Sequence, residues 1–310
     1  MKNVLISFFL LFSSLLFAQE ENFVLHTVSG DIFGTVAVPQ TSEKMPLVLL
    51  VAGSGATDRN CNSPQIQTNA FKMLADSLLK HNIATLRFDK RGIAESAKAG
   101  AKEKDLRFEH YINDLRAWID TLAADKRFSK IIVAGHSEGA LIGLIAAENN
   151  PKVAKYISIS GTALPADEII KEQMSTQPQA VKDLVFPILD SLKIGKTVEN
   201  VPQMLYALFR PSVQPYMISW IKYNPQAEIT KLSIPILIIQ GTTDIQVSEN
   251  QADLLNFANK NSLLRKIKNM NHVLKTCETT DQTAQIATYA NPNLPLANGF
   301  VKAIIDFVQK

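Results

Sequence analysis

The 310-residue chain reads as an α/β protein: an open, eight-stranded, mostly parallel sheet with helices on both faces. Three observations predict it. Short apolar runs alternate with helix-period patterns, as βαβ units with strands buried on both faces do. Two of these runs end in glycine-containing turns, Gly53-Ser54-Gly55 and Gly135-His136-Ser137-Glu138-Gly139, and the second passes at once into an Ala/Gly/Leu-rich helical pattern. Two alternating segments near the start flank Ser29-Gly30-Asp31 as a hairpin does, which makes the sheet mixed.

The elements follow in order. Met1-Lys2-Asn3, an apolar run from Val4 to Phe17, and Ala18 before Gln19-Glu20-Glu21 resemble a secretory signal peptide. The run falls short of the roughly 20 residues of a bilayer span. Cleavage after Ala18 and an exported, periplasmic or secreted, protein are expected; Leu16 is an imperfect cleavage residue, so an uncleaved anchor is the alternative. Strands are expected at Val24–Val28, Ile32–Val38, Leu47–Val51 and Ile83–Phe88, then at Ile131–Ala134, Tyr156–Ile159, Ile236–Gln240 and Leu263–Ile267. Helices are expected at Phe71–Lys80, Tyr111–Leu122, Ser137–Asn149, Asn250–Ala258 and Phe300–Val308. The alternation breaks from 162 to 230, where several prolines separate helical apolar patterns such as Met204–Phe209 and Tyr216–Ile221. That stretch reads as an inserted helical lid. It divides a core of residues 19–161 and 231–310, and would cover the sheet edge where open α/β folds bind ligands.

Composition narrows the function. The formal charge is only +3, and Lys and Arg are scattered without basic blocks, so nothing points to nucleic acid. Past the first segment no run is apolar and long enough to span a membrane. No metal-ligand cluster or dinucleotide fingerprint is visible, so no cofactor is expected. Of the two cysteines, Cys61 and Cys277, both fall on the candidate active-site side. One disulfide between them and two free thiols are both open readings. The chain leaves its oligomeric state open.

The residues that would carry chemistry cluster at strand ends. In Gly135-His136-Ser137-Glu138-Gly139 the serine would sit on a tight strand-to-helix turn, which needs small residues two places either side. Its hydroxyl would lie at a helix N-terminus, where developing negative charge is favoured. The pattern alone is common, so a base, an acid and an oxyanion hole must follow. Asp244, in Gly241-Thr242-Thr243-Asp244 after an apolar strand, is the candidate acid. Of five histidines only His272 follows a strand late enough to be the base in the order Ser, Asp, His. The backbone N–H groups of Ser54 and Glu138 are the candidate oxyanion donors. The Glu138 carboxylate would be enclosed and needs a partner, expected to be Arg91 or Arg59, unless it lies solvated at the pocket mouth.

Together these residues resemble the α/β-hydrolase superfamily. Gly53-Ser54-Gly55-Ala56-Thr57-Asp58-Arg59, Arg87-Phe88-Asp89-Lys90-Arg91-Gly92 and the serine pentapeptide are similar to one group of bacterial serine carboxylesterases. The resemblance implies the α/β-hydrolase fold and the triad Ser137, Asp244 and His272. Ala52 departs from the His-Gly pair found before many oxyanion loops. The implied reaction is hydrolysis of small or medium acyl esters through an acyl-enzyme. A thioesterase or serine peptidase is the alternative within that chemistry, and a non-catalytic binding protein the alternative outside it.

Overall fold

The computed structural model describes residues 19–100 and 102–310; the proposed signal peptide lies outside them. The chain runs β1 (Gln19–Thr27), β2 (Gly30–Val38), β3 (Met45–Val51), α1 (Ala70–Leu79), β4 (Ala84–Phe88), α2 (Phe108–Ala124), β5 (Phe128–His136), α3 (Glu138–Ala147) and β6 (Val153–Ile159). A helical insert follows: α4 (Ala166–Gln173), α5 (Gln179–Lys193), α6 (Tyr206–Phe209), α7 (Gln214–Ile221) and α8 (Pro225–Ile229). The chain then returns to the sheet with β7 (Ile236–Gly241), α9 (Glu249–Ala258), β8 (Leu263–Ile267), α10 (Gln282–Tyr289) and α11 (Phe300–Gln309).

The eight strands form one sheet in the order β1-β2-β4-β3-β5-β6-β7-β8. β1 and β2 join antiparallel and β2 meets β4 antiparallel, while every later pairing is parallel. Strand alternation divides the core between the two faces. Leu47, Leu49 and Val51 of β3 pack with Leu115 and Trp118 of α2. Val48 and Leu50 pack on the other side with Phe71 and Leu74 of α1 and Phe300 and Ile304 of α11. Successive residues of one strand thus bind helices on opposite faces, which is why the strands read as unbroken apolar runs.

The insert carries an apolar cluster of its own, including Ile169, Ile170, Val185, Leu189, Phe209 and Met217. α5 continues through Pro187, a residue that ordinarily ends a helix. Burial of Val185, Ile188, Leu189 and Leu192 on one face offsets the lost hydrogen bond. α10 has no counterpart among the helices read from the sequence. Its pattern is short, and it begins on a local device, the Asp281 carboxylate accepting from the Ala284 N–H.

Cys61 and Cys277 are both free and buried, the second of the two readings left open by the sequence. Cys277 Sγ lies instead 3.5 Å from the Thr279 carbonyl. Among the described residues no helix is long and apolar enough to cross a membrane.

Candidate active site

One residue, Ser137, separates β5 from α3. It holds φ 54° and ψ −122°, a conformation that costs a side-chain-bearing residue of order 1–3 kcal/mol. The flanking glycines explain how the turn closes. A Cβ on Gly135 would stand 2.0 Å from the Gly139 carbonyl oxygen, and one on Gly139 would stand 2.4 Å from that of Val51. α3 is buried along its whole length, so the elbow is braced by apolar packing as well as by backbone. The Ser137 N–H donates to Ile159 O at 2.9 Å, tying the turn to the neighbouring strand.

The structure brings Asp244 and His272 together. His272 Nδ1 donates to Asp244 Oδ2 at 2.9 Å, and both side chains are buried. Asp244 is held by its surroundings: Oδ1 accepts from the N–H groups of Gln246 and Val247, at 2.8 and 2.9 Å, and Oδ2 also lies 3.2 Å from Gln240 Nε2. Burial alone would raise the pKa of this carboxyl. The His272 ring and the two N–H donors outweigh burial and hold the pKa below its ordinary value. The carboxylate therefore stays ionised and fixes the histidine proton on Nδ1, leaving Nε2 for proton exchange. Ser137 and His272 line one cavity of about 100 Å³. No hydrogen bond joins their side chains, and catalytic hydrogen bonds in ligand-free structures are often long or poorly aligned.

His136, next to the serine, proves structural. Its Nε2–H donates to the His272 carbonyl at 2.8 Å, and the two rings lie 4.8 Å apart. Burial, with the His272 ring beside it, pushes the His136 pKa down to about 3. A neutral imidazole thus clamps the loop that carries His272.

The Gly53-Ser54-Gly55 turn lies against the elbow. A Cβ on Gly53 would approach Ser137 Cβ to 3.2 Å, so the glycine is what lets this backbone come near the serine. Ser54 is exposed, and its carbonyl accepts from Thr57 Oγ1 at 2.8 Å. Glu138 is the first residue of α3, so its N–H has no acceptor within the helix.

The partner of the Glu138 carboxylate corrects the sequence expectation. Neither Arg91 nor Arg59 reaches it. Arg59 is engaged by Asp89 at 2.6 Å and by Glu95 at 2.5 Å, and Arg91 Nε donates to Asp114 at 2.7 Å. Lys90, between them in spirit but turned elsewhere, lies 3.2 Å from Glu138 Oε1 and donates to Gly53 O at 2.6 Å. Its ammonium also sits 5.0 Å from the centre of the Tyr111 ring. All three donor directions of the lysine are thereby used, which makes a 2 % exposed cation tolerable. One buried lysine joins the elbow to the glycine turn, the bracing expected of an arginine.

A second cavity, of about 300 Å³, also reaches Ser137 and lies against the helical insert. Ser54, Ser137 and Glu138 form its floor, and Ile170, Met217 and Trp220 of the insert form its wall. A third, of about 290 Å³, shares Glu138, Arg210 and Tyr216 with it and extends the space along Lys90 and Tyr111. Among the described residues no group of three or more metal-ligating side chains comes together.

A hydrolase family described as serine aminopeptidase matches residues 67–212, just under half of the chain. Esterase EstD of Thermotoga maritima is 28% identical over 239 residues, covering 74% of this chain and 53% of its own length. The chain thus spans about half the length of that relative. Among solved structures, Est1E from Butyrivibrio proteoclasticus with ferulic acid bound superposes with a TM-score of 0.63 at 16% identity, covering 93% of this chain and 96% of its own. A Pyrococcus furiosus esterase reaches 0.56 at 15% identity, covering 87% and 88%. The mixed eight-stranded sheet, its helices on both faces and these neighbours agree: the chain has the α/β-hydrolase fold.

Proposed function

We propose that the protein is an exported serine hydrolase, a carboxylesterase that cleaves acyl esters through an acyl-enzyme on Ser137. The observation that carries the reading is the strained one-residue turn, which holds Ser137 at a cavity shared with His272 while buried Asp244 orients that histidine. His272 Nε2 takes the Ser137 proton as Oγ attacks the ester carbonyl. The N–H groups of Ser54 and Glu138 receive the oxyanion. His272 then protonates the departing alcohol and activates the water that releases the acid. Residues 162–230 act as the lid over the acyl cavity.

The likeness to esterases favours ester substrates, while the likeness to serine aminopeptidases favours an amide bond. An ethyl ester, a thioester and an amide of one acid distinguish these classes, with the ester expected to turn over fastest. A fluorophosphonate should label Ser137, and Ser137→Ala should abolish labelling and lower turnover by about 10⁴–10⁶-fold. Hydrolysis by that variant near the wild-type rate would overturn the assignment. Export predicts a mature protein whose mass corresponds to a chain starting at Gln19.

A further inference from the structure

We propose that the two cavities meeting at Ser137 divide the ester unequally, so that the enzyme is selective for small alcohols and tolerant of large, oxygen-bearing acyl groups. The inference rests on the esterase reading above and adds a direction to it. Both cavities include Ser54 and Ser137, so both open on the reacting carbonyl. Only the smaller includes His272. The departing oxygen takes its proton from that ring, so the alcohol must leave on the His272 side. The acyl group is left with the insert side.

The sizes then set the class. A dry cavity of about 150 Å³ holds benzene, so about 100 Å³ holds roughly four non-hydrogen atoms. Its lining includes Cys61, Ile66, Thr68 and Leu274. Of these only Ile66 is not buried in the core, so it is the side chain that limits the chamber. By the same measure the insert-side cavity of about 300 Å³ holds roughly a dozen atoms, before its continuation past Lys90.

Tyr216 supplies the chemistry on the insert side. It lines both insert-side cavities and is buried, and its hydroxyl, though beside the Glu138 carboxylate, makes no hydrogen bond of ordinary length and angle. Burial, and then the Glu138 carboxylate nearby, raise its pKa well above that of an ordinary phenol, so it remains a neutral donor. A buried hydroxyl left unpaired is costly, and an oxygen on the acyl group would pair it.

The test measures kcat/KM with the full chain on two ester series: one acid with methyl to octyl alcohols, and methyl esters of acids of increasing size. Beyond butyl, the alcohol series should fall at least about tenfold, while the acid series should not fall until about a dozen atoms. Ile66→Ala should raise kcat/KM for the octyl ester at least about fivefold and leave the methyl series in its original order. An ω-hydroxy acid ester should be preferred over its alkyl counterpart, and Tyr216→Phe should erase that preference. Equal length dependence in both series, or restriction on the acyl side, would overturn the division while leaving the esterase standing. If no ester of either series is cleaved, both readings fall.

Discussion

Lys90 shows how a single side chain can hold two functional segments in register. Its ammonium bridges Gly53 O and Glu138 with the Tyr111 ring closing the third side. Lys90→Met would leave the Glu138 carboxylate buried without its partner, at a cost of about 3–5 kcal/mol in urea denaturation. Adding Glu138→Gln should recover much of that loss, since the uncompensated charge is then gone. His136 makes a pH prediction. Its folded pKa, about 3, lies below the ordinary 6.5, so the unfolded chain binds its proton first as pH falls. Its contribution is therefore fully present above about pH 6.5 and declines as pH drops toward about 3, at up to about 1.4 kcal/mol per unit. Urea midpoints from about pH 7 to about pH 4 should fall more steeply in the wild type than in His136→Gln. Asp244 adds a loss of the same sign at lower pH, because its lowered carboxyl stabilises the fold above the ordinary Asp range and stops doing so as pH passes through the lowered value.

At the scale of elements, the junction of β5 and α3 carries the strain and, in the proposed reaction, the nucleophile. Only glycines fit at 135 and 139, and that restriction is local enough to be read from the pentapeptide. The strained residue itself is the serine, at a φ of 54° that glycine adopts more readily. Ser137→Gly should raise stability by about 1 kcal/mol, seen as a higher melting temperature, while eliminating turnover. The strand runs were legible for a related reason. Strands covered on both faces are apolar throughout, and all eight lie where continuous or alternating runs predict them. Helix boundaries were less legible. α3 begins after Ser137 and not on it, because the turn ends the strand and starts the helix within one residue. α5 hides a proline that local rules treat as a stop, and only its buried face explains why it continues.

For the whole molecule, stability comes from two helix layers on one sheet, with no covalent staple. Cys61 and Cys277 should react with a thiol reagent only after unfolding, giving two thiols per chain, and a reductant should leave the melting temperature unchanged. An unaltered thiol count after denaturation without reductant is the corresponding check. By itself the sequence determined what depends on neighbours along the chain: the alternation of strands and helices, the glycine-flanked serine, and an acid and a histidine in strand-end loops. Only the tertiary structure decided which charges pair. Arg59, Arg91 and Lys90 are equivalent cations in sequence, and the choice among them depends on which carboxylate each reaches across the fold. The same holds for the free cysteines, for His136 serving as a clamp, and for the unequal cavities at Ser137. Each is a matter of distance between segments far apart in the chain, and no local pattern encodes that distance.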